Sequence, residues 1–504
     1  MQTNLLHSSF MARYIFIVFA VLYISFTITL SSCHNDIISD APEIPLSFSL
    51  DTLRFDTVFT EAGSATRSFK IYNELEEAVI LNEIMLESNQ GFFRLNIDGI
   101  PSNAQNDVRI EGKDSIYVFA EVTIDPDLPL SISPFIIEDK VLIKANNSSY
   151  KVNLEAWGQN ANYFPGRDAA GRVNYVSCDL QEWRWDDPRP YVIYGALIVD
   201  SCRLVIPEGQ SVYVHGGIAI NELGIYNDGL ILFLQNASLQ TEGTAENPVI
   251  FRSDRLEEEF QETPGQWAGI ILNAGSDNNM LKHTKIMHSI VGVSLDSTSS
   301  LRMEQCEIAY TSGNGIAASH ASVYAQNCLF YSNLSSGASL NFGGSYIFNY
   351  CTFVNTDNQD NAISMNNLKC TDPLCQGEIL VNPLYAEFNN CIIAGNDDDE
   401  IGLLDATDGS DPAFFSYSFN NCIVAVNELL DPDAFPNFFD NCNDCINYDT
   451  PDSLFIDLDF YDLHLDTMSI AIDKAMPIIP IISDLEGNPR ESNLPDIGCY
   501  EFQK

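Results

Sequence analysis

The chain has 504 residues, 45% of them hydrophobic and 11% aromatic, which is ample for a buried core and excludes a disordered chain. Seventy acidic side chains against 24 basic ones give a net charge of −46, a poor match for a phosphate backbone, so no nucleic-acid partner is expected. Only 19% of residues are charged, with Lys and Arg scarce; a long helical protein wets its outer faces with those side chains, so the balance favours β structure.

Residues 1–32 hold no acid and one base, Arg13, followed by the seventeen uncharged, mostly apolar residues Tyr14–Leu30. That is short for a membrane span, which needs ~20, and suits a signal peptide. Leu30-Ser31-Ser32-Cys33 resembles a bacterial lipobox. The resemblance implies a signal peptide over 1–32, lipid attachment at Cys33 and a membrane held through that anchor. Met11-Ala12-Arg13 offers a second start besides Met1. Residues 33–45 are expected to be a tether, and the whole an outer-membrane lipoprotein of the cell envelope, facing either the surface or the periplasm.

From 46 to 160 the chain alternates in short strands, among them Arg67-Ser68-Phe69-Lys70-Ile71-Tyr72 and Tyr150-Lys151-Val152-Asn153-Leu154, separated by turn clusters. The spacing predicts a β-sandwich and is similar to immunoglobulin-like modules of bacterial envelope proteins, which act as spacers or docking surfaces. Residues 161–190 are expected to be a connector.

The remainder is a repeat. Gly269, Gly292, Gly315 and Gly337, each followed by Ile, Val or Ala, stand 23, 23 and 22 residues apart. A second column, Cys306, Cys328 and Cys351, keeps the same period, with Thr284 one period earlier. Two places after each stands a large apolar residue, Ile286, Ile308, Phe330 or Phe353, so each column is a strand with one buried face. Cys391 and Cys422 extend the column if loops are inserted at rung corners, where they leave the strand ladder intact. Helical repeats are excluded by the glycines and the alternation, and leucine-rich repeats by the missing Leu lattice.

Three stretches resemble secreted right-handed parallel β-helix proteins of bacteria, of pectin-lyase-like architecture. They are Leu204-Val205-Ile206-Pro207-Glu208-Gly209, then Gly243–Phe251 with Gly265–Ile270, and Asp484–Arg490 with Pro495–Glu501. Cys499 stands where a small residue such as Ala is usual in the last of these, which is similar to the family's closing signature. The expected fold is all-β: an N-terminal β-sandwich, then a right-handed parallel β-helix over 191–504 with 22–23-residue rungs and a C-terminal closing segment.

Thirteen cysteines in an exported chain suggest disulfides. Cys306, Cys328, Cys351, Cys391 and Cys422 should instead stack ~4.8 Å apart as a reduced core ladder, since parallel side chains aim alike and suit a bridge poorly. Cys370 with Cys375 and Cys442 with Cys445, in polar loops, are the disulfide candidates, with Cys178 and Cys202 a third pair. The Cys-x-x-Cys at 442 leaves a redox or zinc site as the other reading.

Chemistry is sparse. A lyase of this fold needs a Lys or Arg base on an outward strand face. Between Cys306 and Asp440 only Lys369 qualifies by type, and among earlier rungs Lys285 faces outward by the alternation. His215, His283, His288 and His320 lack ligand spacing and should be surface or corner residues. Asp397, Asp398, Asp399 and Asp405 form a candidate calcium site, calcium being the one cofactor to consider; a solvated loop is the other reading. The expected function is therefore a non-catalytic envelope lipoprotein whose β-helix binds glycan or a protein partner, with Tyr324, Phe330, Tyr346 and Trp267 as aromatic candidates. A polysaccharide lyase or glycoside hydrolase is the alternative, and a structural spacer the third.

Overall fold

The computed structural model describes residues 37–503 except 60–65, 89–91, 123–134, 160, 166–172, 222–223, 257, 357–359, 373–374, 432–437 and 449. The signal peptide and Cys33 lie outside the described residues. Two compact units divide the chain at Gln159 and Asn160.

The first unit is a β-sandwich of two five-stranded sheets. One is ordered Leu46–Phe48, Arg67–Asn73, Ser115–Val122, Phe93–Ile97, Ile100–Pro101; the other Thr52–Phe59, Ser148–Gln159, Phe135–Ala145, Val79–Leu86, Ala104–Ile110. Pairing is antiparallel except that Ser148–Gln159 runs parallel to Thr52–Phe59. Period-two burial along Arg67–Asn73 and Ser115–Val122 sends Phe69, Ile71, Val118 and Ala120 inward, where they join Ile84, Ile143 and Leu154 of the other sheet in one core.

The second unit is a right-handed parallel β-helix, the hand being the one parallel crossovers take almost without exception. Three faces are stacked in parallel register. Face A has eleven strands from Asn162–Pro165 to Ile446–Asn447. Faces B and C form one bent sheet of 17 strands, because Ile316–Gln326 and Ala338–Asn349 run across both. The stretch 161–190, expected as a connector, instead carries the first strand of each face: Asn162–Pro165, Asn174–Ser177 and Glu182–Arg184. Its strands are short and Trp- and Tyr-bearing rather than aliphatic, which hid them from periodicity.

The corner between faces C and A is the repeat's fixed point. His283, Gln305, Asn327, Tyr350, Asn390, Asn421 and Asp444 all adopt left-handed backbone there, φ between 39° and 54°. Asn tolerates that region better than most residues, and it recurs at three of these corners. One residue on, the chain turns its Cys or Thr into the core. Beside the thiols, Phe348, Phe388 and Phe419 stack with ring centroids 5.0 and 4.8 Å apart, and Phe330 lies on Phe353 at 4.6 Å. Asn349, Asn389, Asn420 and Asn443 form an amide ladder, each amide N–H donating to the previous rung's oxygen at 2.7–2.9 Å. Inserted loops fall at corners, as with the hairpin of Leu368–Cys370 and Ile379–Val381 between faces B and C.

The closing segment lies along the flank of the helix. Leu454, Leu463, Leu465, Ala471 and Cys499 pack on Leu329, Ile392 and Ile423 of the outer surface of face A. The left-handed corners hold it: Asn327 donates to the Ser483 carbonyl, Tyr350 and Asn390 to that of Met476. At its centre Arg490, buried, pairs with Glu501 at 3.2 Å, donates to Asn327 Oδ1 and lies over the Tyr350 ring.

Candidate functional site

The closing segment leaves part of face A uncovered, and a cleft of about 380 Å³ opens at its edge. Three stretches build it. The corner loop supplies Thr244 and Glu246; the outer ends of two rungs supply His283 with Lys285 and Gln305 with Glu307; the closing segment supplies Glu486, Asn488 and Tyr500. Lys285 and Glu307 are register partners on adjacent strands of face A, which sets their side chains one above the other. Their ion pair is 2.6 Å long, and Tyr331 donates its hydroxyl to the other oxygen of Glu307 at 2.9 Å. Burial pushes the His283 ring below its ordinary value, with Lys282 adding to the effect, which favours the neutral imidazole. At the rim, burial opposes charge on His464, but Asp462 at 2.6 Å and Glu486 at 3.3 Å outweigh it and raise its pKa. The His464 ring lies 4.2 Å from that of Tyr500.

Lys285 thus faces outward as its alternation predicts, and it is the base that reaches this cleft. Lys369 lies in the inserted hairpin, its ammonium 5.7 Å from the Phe342 ring. The closing segment's share of the cleft was not legible, because no periodicity connects residue 500 to residue 285. Arg252 was also missed; it stands on the same outer face and donates to Gln261 Oε1 at 2.9 Å. Of the aromatic candidates, Phe330, Tyr346 and Trp267 are core residues. Tyr324 faces outward under the Arg302 guanidinium, 4.2 Å from its ring centre. His283, His288 and His320 are all left-handed corner residues, His288 being buried, and His215 pairs with Asp254 at 2.8 Å.

The four candidate calcium ligands are not brought together. Asp399 accepts from the backbone N–H groups of Asn427, Glu428 and Leu429, capping a short 3₁₀ turn. Asp405 accepts from Thr407, Gly409 and Asn367. Asp397 accepts from the Asp398 N–H. Among the described residues no group of three or more His, Cys, Asp or Glu side chains is placed to hold a metal ion. Backbone capping uses the oxygens that a bent calcium loop would aim at one point.

Cys306, Cys328, Cys351, Cys391 and Cys422 are free thiols, all at most 1% exposed. They stack along the axis: the Cys351 N–H meets Cys391 Sγ at 3.4 Å and the Cys391 N–H meets Cys422 Sγ at 3.3 Å. Cys370 is bonded to Cys375, and Cys178 to Cys202. Cys442 and Cys445, expected in a polar loop as a disulfide, occupy a rung corner as free thiols. Cys445 follows Cys422 by 23 residues, one period, so the missed signal was the repeat itself.

No family model matches the chain, and no curated protein matches it. Among solved structures, the chain is similar to the ASH/PapD-like domain of human CEP192 at 10% identity, over 24% of this chain and 89% of that one, with a TM-score of 0.17. A family 123 glycoside hydrolase from Clostridium perfringens matches at 10% identity over 28% of this chain and 26% of its own, TM-score 0.18. The catalytic unit of a thermostable GH87 α-1,3-glucanase from Streptomyces thermodiastaticus strain HF3-3 matches at 10% identity over 71% of this chain and 84% of its own, TM-score 0.20. Overlaps this loose say nothing of activity. Strand pairing alone defines the class: a β-sandwich followed by a parallel β-helix.

Proposed function

We propose that the protein is a carbohydrate-handling β-helix that binds a glycan in the cleft beside Lys285 and Glu307. The observation that carries this reading is the convergence of hydroxyl, amide and charged groups with one aromatic edge, drawn from three separate stretches, in a cleft of about 380 Å³. Placed polar groups fix a ligand's orientation in a pocket, and a saccharide offers hydroxyls to meet them and an apolar ring face to meet an aromatic edge. Glycan-array binding by the full chain tests it. Lys285→Ala should abolish the binding while circular dichroism stays unchanged, and an array without a hit would refute the reading.

Cleavage of the bound glycan is the second reading, favoured by the presence of Glu246, Glu307 and Glu486 in one cleft. Glycoside hydrolysis uses two carboxyl groups flanking the scissile bond. Reducing-sugar release that vanishes in Glu307→Gln, with binding retained, would establish it. Binding without release assigns the protein to the non-catalytic class.

The rest of the proposal places this cleft on an exported, lipid-anchored chain in the cell envelope, attached through Cys33, with the N-terminal sandwich as an immunoglobulin-like spacer and an envelope protein as a further partner. Supporting the spacer are the strand order of its two sheets and its separate core. Detergent partitioning of Cys33→Ala against the parent tests the anchor; equal partitioning would contradict it.

A further inference from the structure

The thiol column ends differently from the way it runs. In six successive rungs the residue three places before the column is Leu281, Met303, Ala325, Phe348, Phe388 and Phe419; in the last it is Cys442. Cys442 pairs in register with Phe419 and so takes the place of the next ring in the aromatic stack. Asp444, at φ 54°, folds the corner between them, and Cys442 and Cys445 both pack against the same helix core. The Cys445 thiol in turn reaches the Phe419 carbonyl at 3.5 Å. Both are partly exposed, whereas Cys306 to Cys422 are sealed. Among the described free thiols, these two alone are open to an ion from solvent.

We propose that Cys442 and Cys445 form a binding site for a soft monovalent d¹⁰ cation, of the copper(I) or silver(I) class. Thiolates select soft ions, and a pair of them satisfies an ion that accepts two-coordinate geometry. Zinc takes four ligands, and among the described residues no third His, Cys, Asp or Glu joins these two in a metal-holding group. Binding replaces two S–H bonds by two metal–sulfur bonds and releases two protons to solvent, leaving a dithiolate complex of charge −1. The strongly anionic chain, with Asp440 and Asp444 beside the corner, draws cations toward the site.

The test uses the full chain with its Cys178–Cys202 and Cys370–Cys375 disulfides intact, handled without reductant under anaerobic conditions, with silver(I) nitrate as the probe. Native-state maleimide labelling, mapped by peptide mass, should modify Cys442 and Cys445 without silver and neither with one equivalent. Cys442→Phe, which restores the residue of the three preceding rungs, should fold and lose silver protection at Cys445. Three results overturn the proposal: silver protecting neither thiol, unchanged protection of Cys445 in Cys442→Phe, or recovery of the two as a disulfide from the unreduced chain.

Discussion

Glu400 is completely buried at the corner between faces A and B, accepting from the Asp397 and Ala362 backbone N–H groups at 2.8 and 3.0 Å. Burial pushes its carboxyl up to about 7, more than the two hydrogen bonds lower it. Between pH ~4.5 and ~7 the folded chain therefore keeps a proton that the unfolded chain has lost, and stability falls as pH rises through that window, by up to about 3 kcal/mol. Urea unfolding across pH 4–8 should show this slope, and Glu400→Gln should flatten it whatever its effect on absolute stability. Arg490 gives a second prediction at this scale. Arg490→Met strands Glu501 in the interior, so it should destabilise the β-helix by about 3–5 kcal/mol in urea titrations, far more than any exposed ion pair such as Lys140–Glu87.

The element that defines this molecule is the corner between faces C and A. Its later rungs stack ring on ring and amide on amide, so a deletion in mid-stack is felt by two neighbours. Phe388 lies between Phe348 and Phe419, and Phe388→Ala should cost about 3–5 kcal/mol, read as a shift of the urea midpoint at unchanged slope. Much of this element was legible in the sequence, because strict period makes every rung repeat the same physical problem. Cys306, Cys328 and Cys351 with Ile308, Phe330 and Phe353 two places on left one arrangement open. Features that do not repeat were illegible. Cys442 and Cys445 looked like loop residues because their rung lacks the aromatic, and the Asp397–Asp405 acids looked like metal ligands because a capping carboxylate and a coordinating one have the same sequence signature.

At the scale of the whole molecule, the sandwich and the β-helix have separate cores, and residues 160–504 should fold and bind alone. The cleft then depends on the closing segment, which contributes Glu486, Asn488 and Tyr500 to a site whose charged pair sits about 200 residues earlier in the chain. That joint construction is the central claim, and hydrogen–deuterium exchange of the full chain, with and without a glycan selected on the array, tests it most directly. The account predicts protection on binding in three separate peptides, around 244–248, 283–307 and 485–500. Protection confined to the sandwich, or to faces B and C with these three peptides unchanged, would contradict it.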